Sequence, residues 1–294
     1  YHQRARWCQI GDPLQADAWL DTTPGKGNYT DAPTAEAIVS CGFYKDTLVV
    51  FFERSTWQLV YTADSTAPFA WYRINTQFGS ESTYSTISFD RGLFSVGNTG
   101  ILVADSNNVE RIDQKIPDQV FSFHNAAQGL KRVHGIRDFV YQFAYWTYPN
   151  ASQNPTFPNR VLCYNYLEDS FSIFKDSFTC FGYYQTITDT TWATATYTWA
   201  SATRTWDSGL NQSQFPLIVA GNQQGFVFNI YEYGVNDPSL YISGINAVTG
   251  DITSPNHNLE VGDFVIISDV PEWPAGTTVT GKISKITTNT INIG

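Results

Sequence analysis

The sequence contains few charged residues and no long hydrophobic run. Its longest purely apolar run, residues 48–52, is far shorter than the roughly 20 residues of a membrane-spanning helix. Lys and Arg number 17 against 27 Asp and Glu, so the net charge is −10. An acidic balance argues against a nucleic-acid-binding groove, because such a groove holds phosphates through Lys and Arg. We predict neither a membrane-spanning segment nor specific binding of nucleic acid.

Methionine is absent, and cysteine and histidine are few. A chain that starts at Tyr1 without Met or a hydrophobic signal segment is interpreted as an interior part of a longer product. No two of the four cysteines have Cys-x-x-Cys spacing, so no zinc site is predicted. Cys41 and Cys163 fall in predicted strands, which favours buried thiols over the alternative of a disulfide.

The sequence also lacks the motifs of common enzymes. It holds no P-loop, no Gly-x-Gly-x-x-Gly, no Gly-x-Ser-x-Gly and no His-Glu-x-x-His. Its histidines are far apart, at His2, His124, His134 and His257. We therefore predict no enzymatic activity, no metal and no cofactor.

What the sequence does contain is strand pattern. Residues 48–52 are apolar, β-branched or aromatic, which is typical of a strand buried on both faces. After a polar break over 53–56, Trp57, Leu59 and Tyr61 occupy alternate positions, as in a strand buried on one face. We interpret the stretch as a hairpin with a deeply buried first strand.

The hairpin pattern recurs along the chain. Deep strands are predicted to begin near Leu48, Leu93, Val140 and Leu217, at intervals of 45, 47 and 77 residues. Periods of about 40 to 50 residues built from strands are typical of propeller blades. We predict an all-β fold with a whole or partial β-propeller, whose last interval contains an insertion.

Composition divides the chain into three predicted parts. Residues 1–34 are rich in turn signals and form an irregular leading segment with one short strand near 6–10. Residues 35–236 carry the propeller blades. Residues 239–294 contain fresh short strands and are predicted to fold as a separate small β-barrel or sandwich.

An insertion over residues 190–209 carries a tryptophan repeat. Trp192, Trp199 and Trp206 are spaced by sevens, and each follows a Thr. Because Thr is a poor helix former, a coiled coil is the wrong interpretation. One interpretation is a bent loop that packs its Trp side chains on a blade. The alternative is a contact with another subunit or a glycan.

Three aspartates precede the deep strands of successive units: Asp46, Asp90 and Asp138. One interpretation is an acidic ring, because propeller glycosidases use acids from different blades. The other is that Asp residues start turns well. Equivalent positions favour the structural role, because catalysis needs unlike groups in unlike environments.

The strand pattern over 35–236 resembles the β-propeller of phage tail hub proteins, the stabilisation or nozzle proteins of short-tailed phages. The resemblance rests on residues 47–61, on Ala-Pro-Phe at 67–69, on Gly-Leu-Phe-Ser-Val-Gly at 92–97 and on Val-Glu-Arg-Ile at 109–112.

A second resemblance lies in residues 239–294. Residues 242–245, 257–265 and 285–290 are similar to a small β-barrel module named after the first catalytic-cysteine half-domain of ubiquitin-activating enzymes. That module recurs in phage structural proteins. Its pattern of His-x-Leu, two residues and Gly-Asp-x-Val is present, but no cysteine occurs in 240–294. The last strands depart from the module at 279–281.

Together the resemblances imply a structural component of a virion tail, in the hub or nozzle that closes the tail. About six copies would form a ring around the channel through which DNA passes on ejection, without specific binding. The implied partners are other copies of the chain and other tail or adaptor proteins, assembled in the host cytoplasm. The insertion with Trp192, Trp199 and Trp206 is the candidate subunit contact. The alternative function is that of a secreted carbohydrate-active propeller, either a glycoside hydrolase or a lectin.

Overall fold

The computed structural model shows an all-β fold with several antiparallel sheets. It describes residues 1–64, 67–116, 133–151, 155–184, 216–230, 240–246, 248–271, 273, 274 and 276–293. These residues form 22 strands in six sheets, together with one short 3-10 helix at Asp113–Lys115. The all-β class predicted from the sequence is confirmed.

A two-stranded hairpin opens the chain. Strand β1 (Arg4–Trp7) pairs with β2 (Asn28–Asp31) in antiparallel register. The sequence predicted a short strand near 6–10 but not its partner, because residues 28–31 carry only one apolar side chain. The Trp7 ring lies 5.1 Å from the ring of Phe69, so the hairpin packs on the sheet that follows.

The first four-stranded sheet has its strands side by side in chain order. They are β3 (Ile38–Tyr44), β4 (Thr47–Phe52), β5 (Thr56–Tyr61) and β6 (Phe69–Asn75). Val49 and Phe51 of β4 pack into a core shared with the second sheet. Val50 and Phe52 pack on the other face with Trp57. The prediction that this strand is buried on both faces is confirmed.

The second sheet repeats this order. Its strands are β7 (Ile87–Phe89), β8 (Gly92–Gly97), β9 (Gly100–Ala104) and β10 (Val109–Arg111). Every residue of β8 is buried, as expected for a second deep strand. Leu93 and Leu102 meet Val49 and Phe51 of the first sheet in one apolar cluster.

The third sheet corrects one prediction. Its strands are β11 (His134–Arg137), β12 (Phe143–Tyr148), β13 (Arg160–Asn165) and β14 (Ser170–Phe174). The deep strand expected to begin near Val140 begins at Phe143. The cause is a turn: the Asp138 carboxylate accepts the backbone N–H groups of Val140 and Tyr141, and Gln142 follows with a φ of +62°.

The fourth sheet has three strands, β15 (Cys180–Tyr184), β16 (Leu217–Gly221) and β17 (Val227–Asn229). Strand β15 pairs with β16 from Cys180 and Gly221 to Tyr184 and Leu217. The segment between these strands, 185–215, lies outside the described residues.

The last sheet has five strands in the order β18-β19-β22-β21-β20. They are β18 (Gly244–Ile245), β19 (Asp251–Thr253), β20 (Phe264–Ile267), β21 (Val279–Ile286) and β22 (Thr290–Ile293). Four buried isoleucines form its core: Ile252, Ile267, Ile283 and Ile291. The sequence missed β19, because a three-residue strand with one apolar side chain has no detectable alternation.

The chain divides into two compact units. Unit 1 contains Tyr1–Arg137, Tyr145–Cys163 and Phe171–Lys175, and unit 2 contains Asp138–Ala144, Tyr164–Ser170 and Asp176–Gly294. The boundary therefore passes through the third sheet. The limits predicted from the sequence, at 1–34, 35–236 and 239–294, stay predictions.

Within unit 1, the first strands of successive sheets are neighbours. Strand β3 packs against β7, and β7 packs against β11. Ser40 of β3 shares a hydrogen bond of 2.7 Å with the Thr86 hydroxyl beside β7. The Gly135 N–H of β11 donates to the Tyr84 carbonyl at 2.8 Å. These contacts connect three sheets through their first strands.

Candidate functional site

The three aspartates occupy the first turn of three successive sheets. Asp46 lies between β3 and β4, Asp90 between β7 and β8, and Asp138 between β11 and β12. Asp46 is exposed, and the Asp90 side chain is 96% exposed with its Oδ2 3.6 Å from Arg137 Nη2. Equivalent positions in the sheets thus provide unlike environments.

Asp138 is almost fully buried, with 1% of its surface exposed. Its Oδ1 accepts the backbone N–H of Val140 at 2.7 Å and that of Tyr141 at 3.0 Å. The Tyr166 hydroxyl donates to the backbone carbonyl of Asp138 at 3.3 Å. A carboxylate bonded to its own turn stabilises that turn. Asp138 therefore has the structural role that the sequence favoured.

A network of buried serine hydroxyls and the half-buried hydroxyl of Thr86 lies where the first strands meet. The Thr86 hydroxyl donates to Ser95 Oγ at 3.1 Å, and Ser95 Oγ donates to Ser80 Oγ at 2.8 Å. The Ser82 hydroxyl donates to the carbonyl of Val133 at 2.7 Å, just before β11. Buried hydroxyls cost stability unless they are bonded, and these bonds satisfy them. The network therefore joins sheets and is no sign of a nucleophile.

The turn between β11 and β12 presents a half-exposed aromatic cluster, which we call the aromatic turn patch. It consists of Phe139, Val140 and Tyr141 together with Tyr183 of β15, whose ring lies 5.9 Å from that of Phe139. These side chains are between 37% and 49% exposed. The sequence missed the patch because residues 139–146 have the composition of a buried strand. The signal that would have found it is Asp138, a turn-starting residue directly before the run.

The His-x-Leu and Gly-Asp-x-Val pattern of the last sheet has a structural role. His257 is buried, its Nε2 lies 2.8 Å from the Thr287 carbonyl, and its Nδ1 accepts the Leu259 N–H at 3.0 Å. These contacts define the neutral tautomer that donates from Nε2. Asp263 Oδ2 accepts the backbone N–H of Glu260 at 2.8 Å and completes the turn before β20. The motif therefore holds the sheet together.

A turn of the fourth sheet contacts the last sheet through amide side chains, within unit 2. Gln224 donates to the Pro255 carbonyl at 2.6 Å and accepts the Tyr241 N–H at 2.9 Å. Gln223 donates to the Asn256 carbonyl at 2.7 Å. Because both side chains bond to backbone groups, this contact fixes the backbone at Tyr241, Pro255 and Asn256.

The tryptophan insertion can be located only by its ends. Trp192, Trp199 and Trp206 lie outside the described residues. The strands that flank the insertion, β15 and β16, are direct antiparallel partners. The insertion therefore connects the first and second strands of the fourth sheet. Asp46, Asp90 and Asp138 occupy the same connection in the three earlier sheets.

The cysteines are free thiols. Cys163 is buried in β13, as predicted, but Cys41 is exposed. This corrects the prediction for Cys41. The residue does lie in a strand, but β3 is the outermost strand of its sheet, where Cys41 and Phe43 stay exposed. No group of three or more His, Cys, Asp or Glu in the described ranges is arranged to hold a metal ion.

Comparison with known proteins adds no assignment. No family model and no curated protein sequence matches this chain. Among the residues that the structure describes, no helix is long and apolar enough to span a membrane.

Proposed function

We propose that this chain is a structural subunit of a bacteriophage tail, part of a hub or nozzle ring around the DNA channel. The sheets are proposed to be blades of a whole or partial β-propeller, with the last sheet as a small barrel module. One observation carries the proposal: three successive four-stranded sheets, each in chain order, meet through their first strands. Such repetition is typical of propellers.

The polar groups of the described residues support a structural role over an enzymatic one. Asp138 stabilises its own turn, and the buried serines bond to one another and to backbone carbonyls. His257 supports the motif of the last sheet. A typical glycoside hydrolase needs two carboxylic acids that flank the scissile bond. The three aspartates found by sequence are instead exposed or bonded within a turn.

Charge and symmetry are compatible with a ring. A net charge of −10 per copy suits a lumen that DNA passes through without being held, because Lys and Arg contacts would retain phosphates. A ring of about six copies also needs two different contact patches on each subunit. The aromatic turn patch and the insertion with Trp192, Trp199 and Trp206 are the candidates for one of them.

The decisive experiment is a cryo-electron microscopy reconstruction of particles that contain this chain. We expect several copies around the tail axis, with the first three sheets side by side as blades. A single copy per particle, or a position in a fibre away from the axis, would show that the ring proposal is wrong.

The second candidate is a secreted carbohydrate-binding or carbohydrate-cleaving propeller, and the aromatic turn patch favours it, because aromatic faces stack on sugars.

We predict no turnover of a panel of polysaccharides. The measurement is the release of reducing sugar by the chain and by its Asp46→Asn, Asp90→Asn and Asp138→Asn variants. Turnover that disappears in one of these variants would make the hydrolase the better assignment. Binding in a glycan array, lost in Tyr141→Ala, would favour the lectin.

A further inference from the structure

Strand β20 is at the edge of the last sheet and exposes apolar side chains. Within the described part of the chain it pairs only with β21. Ile267 is buried in the isoleucine core, and Val265 packs against that core. Phe264 and Ile266 point to the other face and are 68% and 64% exposed.

The outer edge of β20 also presents backbone hydrogen-bonding groups. In an antiparallel ladder, successive residues direct their N–H and C=O groups alternately toward the partner strand and away from it. The Ile283 N–H donates to the Asp263 carbonyl at 2.9 Å, and Val265 is the next residue turned toward β21. Phe264 and Ile266 therefore direct their N–H and C=O groups to the open edge.

Edge strands are commonly protected by Lys or Pro, which discourage pairing with another chain. The β20 sequence Phe-Val-Ile-Ile contains neither. The acidic side chains Asp263 and Asp269 stand at its two ends instead. Lys282 lies opposite Phe264 but on β21, one strand further in. The open edge therefore combines apolar side chains with negatively charged ends.

The negative charges at both ends of β20 indicate which kind of segment can pair with its open edge. Two copies of β20 pairing antiparallel would bring Asp263 of one copy to the end where Asp269 of the other lies, and like charges facing across strands are destabilising. A segment with apolar residues at alternate positions and Lys or Arg at both ends would match the side chains and the charges together.

We propose that the β20 edge is a docking site for an extended segment of a partner protein, with alternating apolar residues and basic ends. The segment adds to the last sheet as a sixth strand, its backbone bonded to Phe264 and Ile266. The proposal does not depend on the tail function, because it uses only the geometry and charge of this sheet.

The test uses the full chain and a synthetic peptide of alternating valine and threonine between pairs of lysines. Titration calorimetry with peptide concentrations up to about 1 mM is expected to detect binding. Hydrogen exchange of residues 260–270 is expected to slow at Phe264 and Ile266, whose amides gain acceptors. The matched control peptides carry glutamate ends or N-methyl groups on the amides that face β20. N-methylation is expected to weaken binding about tenfold.

Two variants test the site itself. Asp269→Asn removes one charge where Asn tolerates the φ of +56°, and it should weaken binding about two- to fivefold. Ile266→Pro removes an outward N–H without touching the bonds to β21, and it should weaken binding about tenfold. Thermal unfolding of each variant checks that the sheet is intact. If Ile266→Pro does not fold, Asp269→Asn and the N-methylated peptide still decide.

Several results would overturn the proposal. Absence of binding at the highest concentration would do so, as would equal affinity for the lysine and glutamate peptides. Binding that protects amides elsewhere but not those of β20 would also contradict it. If the chain instead forms a dimer in sedimentation, and Asp269→Asn strengthens that dimer, the occupant is a second copy and the basic partner is wrong.

Discussion

Two tryptophans of unit 1 differ in the hydrogen bond of the indole N–H. Trp146 is fully buried, and its Nε1–H donates to the Ser85 carbonyl at 2.9 Å. Trp71 packs against the Phe52 ring, and its Nε1 has no acceptor among the described residues. The two residues therefore compare a bonded and an unbonded buried indole N–H in the same protein.

We predict that Trp146→Phe lowers the free energy of unfolding by about 1–3 kcal/mol more than Trp71→Phe does. Trp146 is fully buried whereas Trp71 is half-buried, so the first change leaves the larger cavity. Only the first change also deprives a buried carbonyl of its donor. Urea unfolding of the two variants measures the difference. Equal losses would mean that the Trp146 bond contributes nothing beyond ring packing.

His257 makes stability depend on pH. Burial lowers its pKa, and the opposing effect of hydrogen bonds to Thr287 and Thr290 is smaller. As the pH falls, the unfolded chain takes up the proton first, near its ordinary pKa of about 6.5. The contribution of His257 is therefore complete above that pH and is lost as the pH falls through the lower, folded pKa.

We predict that His257→Gln loses less stability than the parent chain between pH 7 and pH 5 because Gln does not titrate. Thermal unfolding across this pH range measures the slope. His134, whose pKa burial also lowers, contributes a slope of the same sign that remains in His257→Gln. An unchanged slope in His257→Gln would contradict the prediction.

At the scale of elements, one glycine permits the passage from the first sheet to the second. A Cβ on Gly79 would meet the Phe52 carbonyl and lie 2.6 Å from the backbone N of Arg54. Backbone atoms cannot move aside as a flexible side chain can. The Ser80 N–H, next in the chain, donates to the same Phe52 carbonyl at 2.9 Å, so the crossing is held close to β4.

We predict that Gly79→Ala destabilises the protein by about 1–3 kcal/mol, because the added methyl group pushes the crossing segment away from the backbone of residues 52–54. The control is Gly182→Ala in β15, where the Cβ would lie 3.7 Å from a Val219 methyl, an ordinary contact. Denaturant unfolding compares the two. A Gly79→Ala variant as stable as Gly182→Ala would mean that the crossing is not close-packed.

At the scale of the whole molecule, the connection between the first and second strands differs greatly in length from sheet to sheet. Two residues join β3 to β4, whereas the segment 185–215 lies between β15 and β16. Since Tyr184 and Leu217 are direct partners, the insertion leaves and re-enters the sheet at one place. The described residues thus fix the two ends of the insertion, next to each other at one end of the β15–β16 pair.

On the proposed tail function, we predict that replacing residues 190–209 by a short Gly/Ser turn leaves the sheets folded but weakens incorporation into tail particles. Circular dichroism and thermal unfolding check the fold, and the amount of protein in purified particles measures assembly. The matched variant, with Trp192, Trp199 and Trp206 all changed to Ser, should show the same defect if tryptophan makes the contact. Normal assembly of both would exclude the insertion as a subunit contact.

Sequence alone located most of the strands of the first two sheets. In β4 and β8 the apolar runs are strong, and the turn before each strand carries an Asp, so local propensity and burial agree. It misplaced the start of β12 because residues 139–141 have strand composition but are held in a turn by Asp138. It missed β2 and β19, which have too few apolar residues to show a period.

The candidate surfaces were less accessible to sequence reasoning. Sequence named Asp46, Asp90 and Asp138 as equivalent, but only the structure distinguished the exposed pair from the buried turn residue. The open edge of β20 depends on which strand lies outermost, and that order arises from pairing between distant segments such as β19 and β22. The periodic spacing of apolar residues along the chain located most strands, because that spacing reflects which side chains are buried locally. Tertiary pairing decided which backbone groups and apolar side chains stay exposed, because that depends on neighbours far away in sequence.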